Sequence, residues 1–335
     1  MAAHVLNTSK RFGAPPIELI ALGGIEFGVF DDVPSVADLR DYRTGFSSRL
    51  RFKSWHHLLI HSSSLSMTVA MVDLGYLKTA WVRWIPADGE SLEWSRKSPL
   101  SACVVQTRLR GTVSSFRARR FDLELAHHTP RHHELRFNSP EFSIELDLDG
   151  RAVSPLAVCL PIGAHHALYS QKMPLACAGA IRLAGETFDL SDGVAMIDVH
   201  QAYYPHRTTW RWATAGWRSE HGALCGFNLT RNQARQPERF NECALWHDGR
   251  LYRLPLPEFE VPEQPLAPWR VASEDGAVEL AFEPQGLRQD NTRIGPLVSQ
   301  YQQPWGRFRG RITVPELGAV AVDAFGVCED HLAAW

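Results

Sequence analysis

Apolar and polar residues alternate with a period of two along much of the chain. The cleanest case sets Phe142, Ile144, Leu146 and Leu148 against Ser143, Glu145, Asp147 and Asp149, just before Gly150. Successive side chains of a strand point to opposite faces, so the pattern predicts a half-buried antiparallel strand. The same alternation recurs in Phe121, Leu123 and Leu125, in Val278, Leu280 and Phe282, and in Phe308, Ile312 and Val314 set against Arg307, Arg309 and Arg311. Asp-Gly pairs at Asp88-Gly89, Asp149-Gly150, Asp192-Gly193, Asp248-Gly249 and Asp275-Gly276 stand between such runs. There a positive φ lets a two-residue turn match the strand twist, and a meander of hairpins follows.

Helical signals are few: Pro34 to Tyr42 has room for two turns and Glu238 to Trp246 for another. Neither a glycine-rich strand-to-helix turn nor a βαβ rhythm is present, which disfavours a doubly wound parallel sheet. The predicted class is all-β, with two antiparallel barrels or sandwiches side by side. The Pro-rich run from Pro255 to Pro268 reads as an extended connection. The charge-poor run from Arg151 to Gly185 reads as the passage from one β unit to the next. The expected division is therefore a lead segment over 1–45 packing on the first barrel, a first β domain over 46–185 and a second over 186–335.

Composition narrows the partners. The formal charge is -2, from 35 basic and 37 acidic residues without long blocks, so nucleic acid and anionic membrane are poor partners. The first residues lack a basic region followed by an apolar core. The richest apolar stretch, Gly13 to Phe30, is interrupted by Glu18 and Glu26, so neither a secretion signal nor an integral membrane span is expected. Six scattered cysteines without a Cys-x-x-Cys pair fit buried free thiols in a reducing cytoplasm, and the sequons at Asn7 and Asn228 are then chance matches. Oligomeric state is open.

The run Asp198-Val199-His200-Gln201-Ala202-Tyr203-Tyr204-Pro205-His206-Arg207-Thr208-Thr209-Trp210-Arg211-Trp212 crowds a carboxylate, two imidazoles, guanidinium groups and large rings into a strand-like stretch, as the wall of a pocket would. Together with Gly163 to Pro174, Gly226-Phe227-Asn228-Leu229, Phe282-Glu283-Pro284 and the ending Gly326-Val327-Cys328-Glu329-Asp330-His331 through Trp335, it resembles the uncharacterised family called domain of unknown function 2804. Many members carry Gly and Trp where this chain has Ala202 and Tyr203, so it resembles a variant branch. More distantly the arrangement is similar to the lipocalin-like two-barrel proteins that include carotenoid hydratases (hydroxyneurosporene synthase) and tocopherol cyclase. The resemblance implies two calycin-like barrels with an elongated apolar cavity for a lipid or isoprenoid. It also implies protonation of an alkene by a carboxylic acid, the cation being held by aromatic faces.

Asp198 is one candidate acid, since burial raises a carboxyl pKa; it could equally pair with Arg207, which would keep it ionised. His200 is a candidate proton carrier or a histidine bonded to backbone, and on an unbroken strand it would share a face with His206. Tyr203, Tyr204, Trp210 and Trp212 would line a cation-stabilising cavity or fill a core. Glu329 and His331 belong to a tail that could fold over the barrel mouth. Lys172 sits in a family-like patch that could be a loop closing the cavity, where it is either an ordinary solvated lysine or the partner of a carboxylate head group. Asn228, His206 and Arg207 complete the candidate binding set.

Two histidine groups, His56, His57 and His61, then His127, His128, His132 and His133, lack a metal-ligand pattern, and neither a metal nor a cofactor is expected. The second group reads as a wet hairpin. Three functions remain open: a cofactor-independent isomerase, hydratase or cyclase acting on a hydrophobic alkene, with Asp198, His200 or Glu329 in proton transfer; a non-catalytic carrier of a hydrophobic small molecule; and a scaffold whose barrels are filled.

Overall fold

The computed structural model describes residues 12–21, 24–42, 50–88, 90–99 and 102–335. Among these residues the secondary structure is nearly all β, in two large antiparallel sheets, each curled into a half-barrel. The first, of fourteen strands, is centred on Val194–Tyr203, which lies between Phe52–His61 and His166–Leu183. The second, of nine strands, is centred on Gly318–Ala334, flanked by Arg207–Arg218 and Leu297–Val314. A two-stranded sheet joins Ile20–Ala21 to Gly24–Ile25. The chain passes from the first large sheet to the second between Tyr203 and Arg207, beyond the expected division near residue 185.

The period-two runs form the strands they predict. Phe142–Asp149 buries Phe142, Ile144, Leu146 and Leu148, and Phe121–Thr129 buries Phe121, Leu123 and Leu125. The run from Arg151 to Gly185 corrects its reading as a passage. Leu156–Gly163 and the first half of His166–Leu183 lie inside the first sheet and are buried on both faces, so apolar and polar positions do not alternate there.

The helical readings also need correction. Only Leu39–Tyr42 is helical within Pro34 to Tyr42, as a single 3-10 turn. Ala244–His247 is a strand inside the second predicted helix, because Leu245 and Trp246 are fully buried in the cores. Within Pro255 to Pro268, Pro257–Glu260 forms an edge strand. Of the Asp-Gly pairs, Asp248-Gly249 is a two-residue hairpin with φ of 49° and 74°; Gly89 lies outside the described residues, as do Asn7 and the first residues.

The first core packs Phe116, Phe121, Phe137, Ile144 and Leu146 inside the first sheet, and the second packs Phe227, Leu245, Trp269, Phe282 and Phe308 inside the second. Trp212, Phe325 and Val327 of the second sheet belong to the first core, so the sheets share apolar contact. They also meet at Met196, whose thioether lies where Gly216 and Gly226 carry no side chain. A Cβ at Gly216 would meet Met196 Cγ at 2.9 Å, and one at Gly226 would meet its Sδ at 2.8 Å and the Ala215 carbonyl oxygen at 2.9 Å.

Candidate active site

Between the two sheets lies a cavity of about 220 Å³. That exceeds the engineered space of about 150 Å³ that accepts benzene in an apolar core. The strand periodicity builds its walls. Trp55 with His57, Asp198 with His200, Trp210 with Trp212, and Glu329 with His331 are each two residues apart on a strand, and all line the cavity. Cross-strand register then sets Lys172, Asp198 and His57 side by side on three adjacent strands, with Ser170, His200 and Trp55 in the neighbouring row. On the opposite wall Trp212 pairs with Glu329, and Trp210 with His331.

A buried ion cluster forms part of the wall. Lys172 Nζ lies 2.5 Å from Asp198 Oδ1 and 3.1 Å from Glu242 Oε2, and donates to Ser170 Oγ at 2.9 Å. Ser170 donates to Asp198 Oδ1 at 2.9 Å, and Trp55 Nε1 approaches Asp198 Oδ2 at 3.4 Å. Burial is the largest influence on Asp198 and raises its pKa, but the charge and hydrogen bond of Lys172, together with neighbours that include the Ser170 hydroxyl, hold the group below its ordinary value, so Asp198 is a carboxylate. Burial pushes Lys172 down, and its two carboxylate neighbours bring it back above an ordinary lysine. Glu242 stays raised: burial and the Asp198 charge win over Lys172 and the amide donated by Asn232 at 2.8 Å.

Glu329 is a carboxyl group on the facing wall, and its state differs from that of Asp198. Burial lifts its pKa to about 7, against Trp210, Tyr301 and Gln303, which donate to it. Trp210 Nε1 lies 2.6 Å from Oε1, and Gln303 Nε2 lies 3.0 Å from Oε2. At neutral pH a large share of Glu329 is therefore the neutral acid. His57 and His200 are held neutral by burial, at about 4 and about 3, and His331 at about 3.

Parallel rings line the remaining wall. Trp55 stacks on His200 with centroids 3.8 Å apart, on Trp210 at 5.8 Å and on Tyr204 at 6.1 Å; Tyr204 in turn stacks on Trp335 at 5.9 Å. His200 Nε2 and the Tyr204 hydroxyl are 2.7 Å apart. On the same lining the Arg288 guanidinium covers Trp81 at 3.9 Å and is anchored to Glu93 at 3.2 Å.

Of the residues singled out by sequence, Asp198, His200, Glu329, Tyr204, Trp210, Trp212, Lys172 and His331 line the cavity. Four do not. Tyr203 points the other way, packs on Phe52 and donates to the Arg40 carbonyl. His206 is bonded to the Trp335 carbonyl oxygen, because Pro205 ends the strand and breaks the parity with His200. Arg207 is exposed and pairs in the ladder with Ala334; Lys172, a strand residue and not a loop residue, is the cation on Asp198. Asn228 stands behind the wall, where it accepts from Trp212 Nε1 at 2.6 Å and donates to the Glu242 carbonyl at 2.6 Å.

The ending is likewise no folded-back tail: Glu329 and His331 lie within Gly318–Ala334, the central strand of the second sheet. His127 and His133 are buried with ring nitrogens 3.0 Å apart, and His127 packs edge-on against His56, whereas the hairpin reading expected them wet. Sequence reasoning missed Trp55 and His57 as wall residues, although their i, i+2 spacing carries the signal. It also missed Glu242, which no pattern marks.

Two comparisons bear on the whole chain. The family described as Domain of unknown function (DUF2804) matches residues 32–335, and the chain belongs to it. Among solved structures, CghA with Sch210972 aligns over 84% of this chain and 88% of its own at 11% identity, with a TM-score of 0.55. CghA on its own gives 0.54 at 12% identity, over 83% and 87% of the two chains. A protein assigned as ATTH from Nitrosomonas europaea gives 0.48 at 14% identity, over 96% of this chain and 100% of that one. No curated protein matches the sequence. At such identities the CghA likeness concerns the fold, which agrees with the two-sheet architecture that the sequence resemblance implied.

Proposed function

We propose that this member of the DUF2804 family is a cofactor-independent acid catalyst that isomerises or cyclises a hydrophobic, isoprenoid-like alkene held between its two sheets. The observation that carries the reading is Glu329: a carboxyl group with a pKa near 7, fully desolvated, at the wall of an apolar aromatic cavity. Its neutral form gives a proton to one alkene carbon and becomes a carboxylate. The resulting cation sits against the ring faces of Trp55, Trp210 and Trp212, with the Asp198 carboxylate as a fixed negative charge. Loss of a proton from a neighbouring carbon back to Glu329 restores the acid and leaves the double bond moved; where a second double bond of the same molecule first attacks the cation, the same loss leaves a closed ring. Water entering the cavity would instead bond to the cation and return its proton to Glu329, giving the hydrated product. Lys172 acts by holding Asp198 ionised and in place.

A carrier needs the same cavity but no titrating acid, and the filled-barrel scaffold loses its premise with a cavity present. The deciding experiment is native mass spectrometry of protein purified from its own host, with identification of any small molecule that co-purifies. Incubating that molecule with wild type and Glu329→Gln separates the readings. Conversion by wild type alone supports the enzyme; binding without conversion by either supports the carrier and overturns the proposal.

A further inference from the structure

Away from the cavity, the hairpin Ala244–His247, Asp248-Gly249, Arg250–Arg253 closes against Leu224–Arg231. Gly226 pairs with Trp246, which sets Cys225 opposite His247 on the neighbouring strand. Asp248 follows in the left-handed turn at φ 49°, a conformation a short polar side chain tolerates, and its carboxylate comes back over the pair. One donor atom from each of Cys225, His247 and Asp248 lies within 4.8 Å of the other two. His247 Nδ1 is 3.6 Å from Asp248 Oδ2, near the separation of about 3.4 Å that two ligands about 2.1 Å from a tetrahedral zinc ion would have.

We propose that Cys225, His247 and Asp248 form a binding site for a thiophilic divalent cation, zinc by its chemistry, at the outer hairpin of the second sheet. A thiolate, an imidazole and a carboxylate are the mixed ligand set that suits zinc better than magnesium or calcium. Cys225 is buried, His247 half-buried and Asp248 exposed, so the thiol supplies an inner anchor while the solvent side leaves the fourth position to water. The Asp248 backbone N–H donates toward the Cys225 sulfur, the kind of outer support that metal-bound thiolates receive.

The site would act on architecture. Gly249 accepts from Ser154 N at 3.0 Å, and Trp246 Nε1 donates to Ser154 O at 2.8 Å, so this hairpin holds a loop of the first sheet against the second. A cation on its turn stiffens that junction. None of the three residues lines the cavity, so the inference is independent of the catalytic reading.

The test uses the full chain without a polyhistidine tag, stripped with chelator and titrated with Co2+ alone, then with Zn2+ in competition. The expected result is one Co2+ per chain with a thiolate-to-cobalt charge-transfer band, displaced by Zn2+, and a Zn2+-dependent rise in melting temperature. Cys225→Ser removes the band, and His247→Ala, at a half-exposed position that the fold tolerates, weakens binding at least about tenfold. Circular dichroism checks that each variant is folded; if Cys225→Ser is not, His247→Ala decides. No band in wild type, or undiminished binding by folded His247→Ala, overturns the site.

Discussion

Trp210 and Glu329 meet diagonally across neighbouring strands: the indole N–H donates to Oε1 at 2.6 Å, although the ladder partner of Trp210 is His331 and that of Glu329 is Trp212. The bond favours the charged carboxylate and so opposes burial. Removing it while keeping an aromatic wall, as in Trp210→Phe, should move the Glu329 pKa above about 7. Carbon-13 NMR of labelled glutamate would read the shift, and an unchanged or lower value would contradict the assignment.

An acid catalyst must be protonated, so turnover of the co-purified alkene should fall as pH rises through about 7. Glu329→Gln should lose at least about a hundredfold in rate and retain binding. The pH limb and the variant test the same proton independently.

Lys172→Met leaves Asp198 and Glu242 buried without their cation. The expected loss is about 3–5 kcal/mol of stability, read as a lower urea midpoint. Adding Asp198→Asn should restore part of it, because the surplus buried charge goes with it.

His56 and His57 titrate at about 4 and His133 at about 3 in the folded chain, all depressed by burial. The unfolded chain binds their protons below about 6.5, so this stability is complete above that pH and drains away as pH falls toward 4. Each group contributes a slope of about 1.4 kcal/mol per pH unit in that window. Urea midpoints at pH 7.5, 6 and 5 should decline steeply, and less steeply in His133→Gln. A flat series would show that the rings are not buried and neutral.

Arg207→Ala and Tyr203→Phe should leave ligand affinity unchanged, whereas Trp55→Ala should lower it. Arg207 is exposed and Tyr203 faces the lead segment, while Trp55 stacks on three rings of the cavity. Titration with the co-purified molecule distinguishes the two groups.

Much of this arrangement is legible in the sequence because a strand's period of two survives translation into space. Asp198 and His200 read as one face, and the structure keeps them on one. The reading fails where a second strand decides the matter. Nothing local to Lys172 says that Asp198 will be its ladder partner, so a lysine that ordinarily seeks water is found buried, and Arg207 takes its place in the expectation. Glu242 reaches the cluster from a loop after Leu224–Arg231, a contact made by tertiary packing alone. Buried strands such as Leu156–Gly163 hide for the opposite reason, since burial on both faces erases the alternation that would announce them.

Met196 reaching into the space left by Gly216 and Gly226 makes the distance between the sheets a matter of single methyl groups. The roof and floor of the cavity belong to different sheets, so this contact works as a shim. A Cβ added at Gly216 would have to displace Met196 or Val194 of the facing sheet, so the spacing of the walls answers to residues that never touch what the cavity holds.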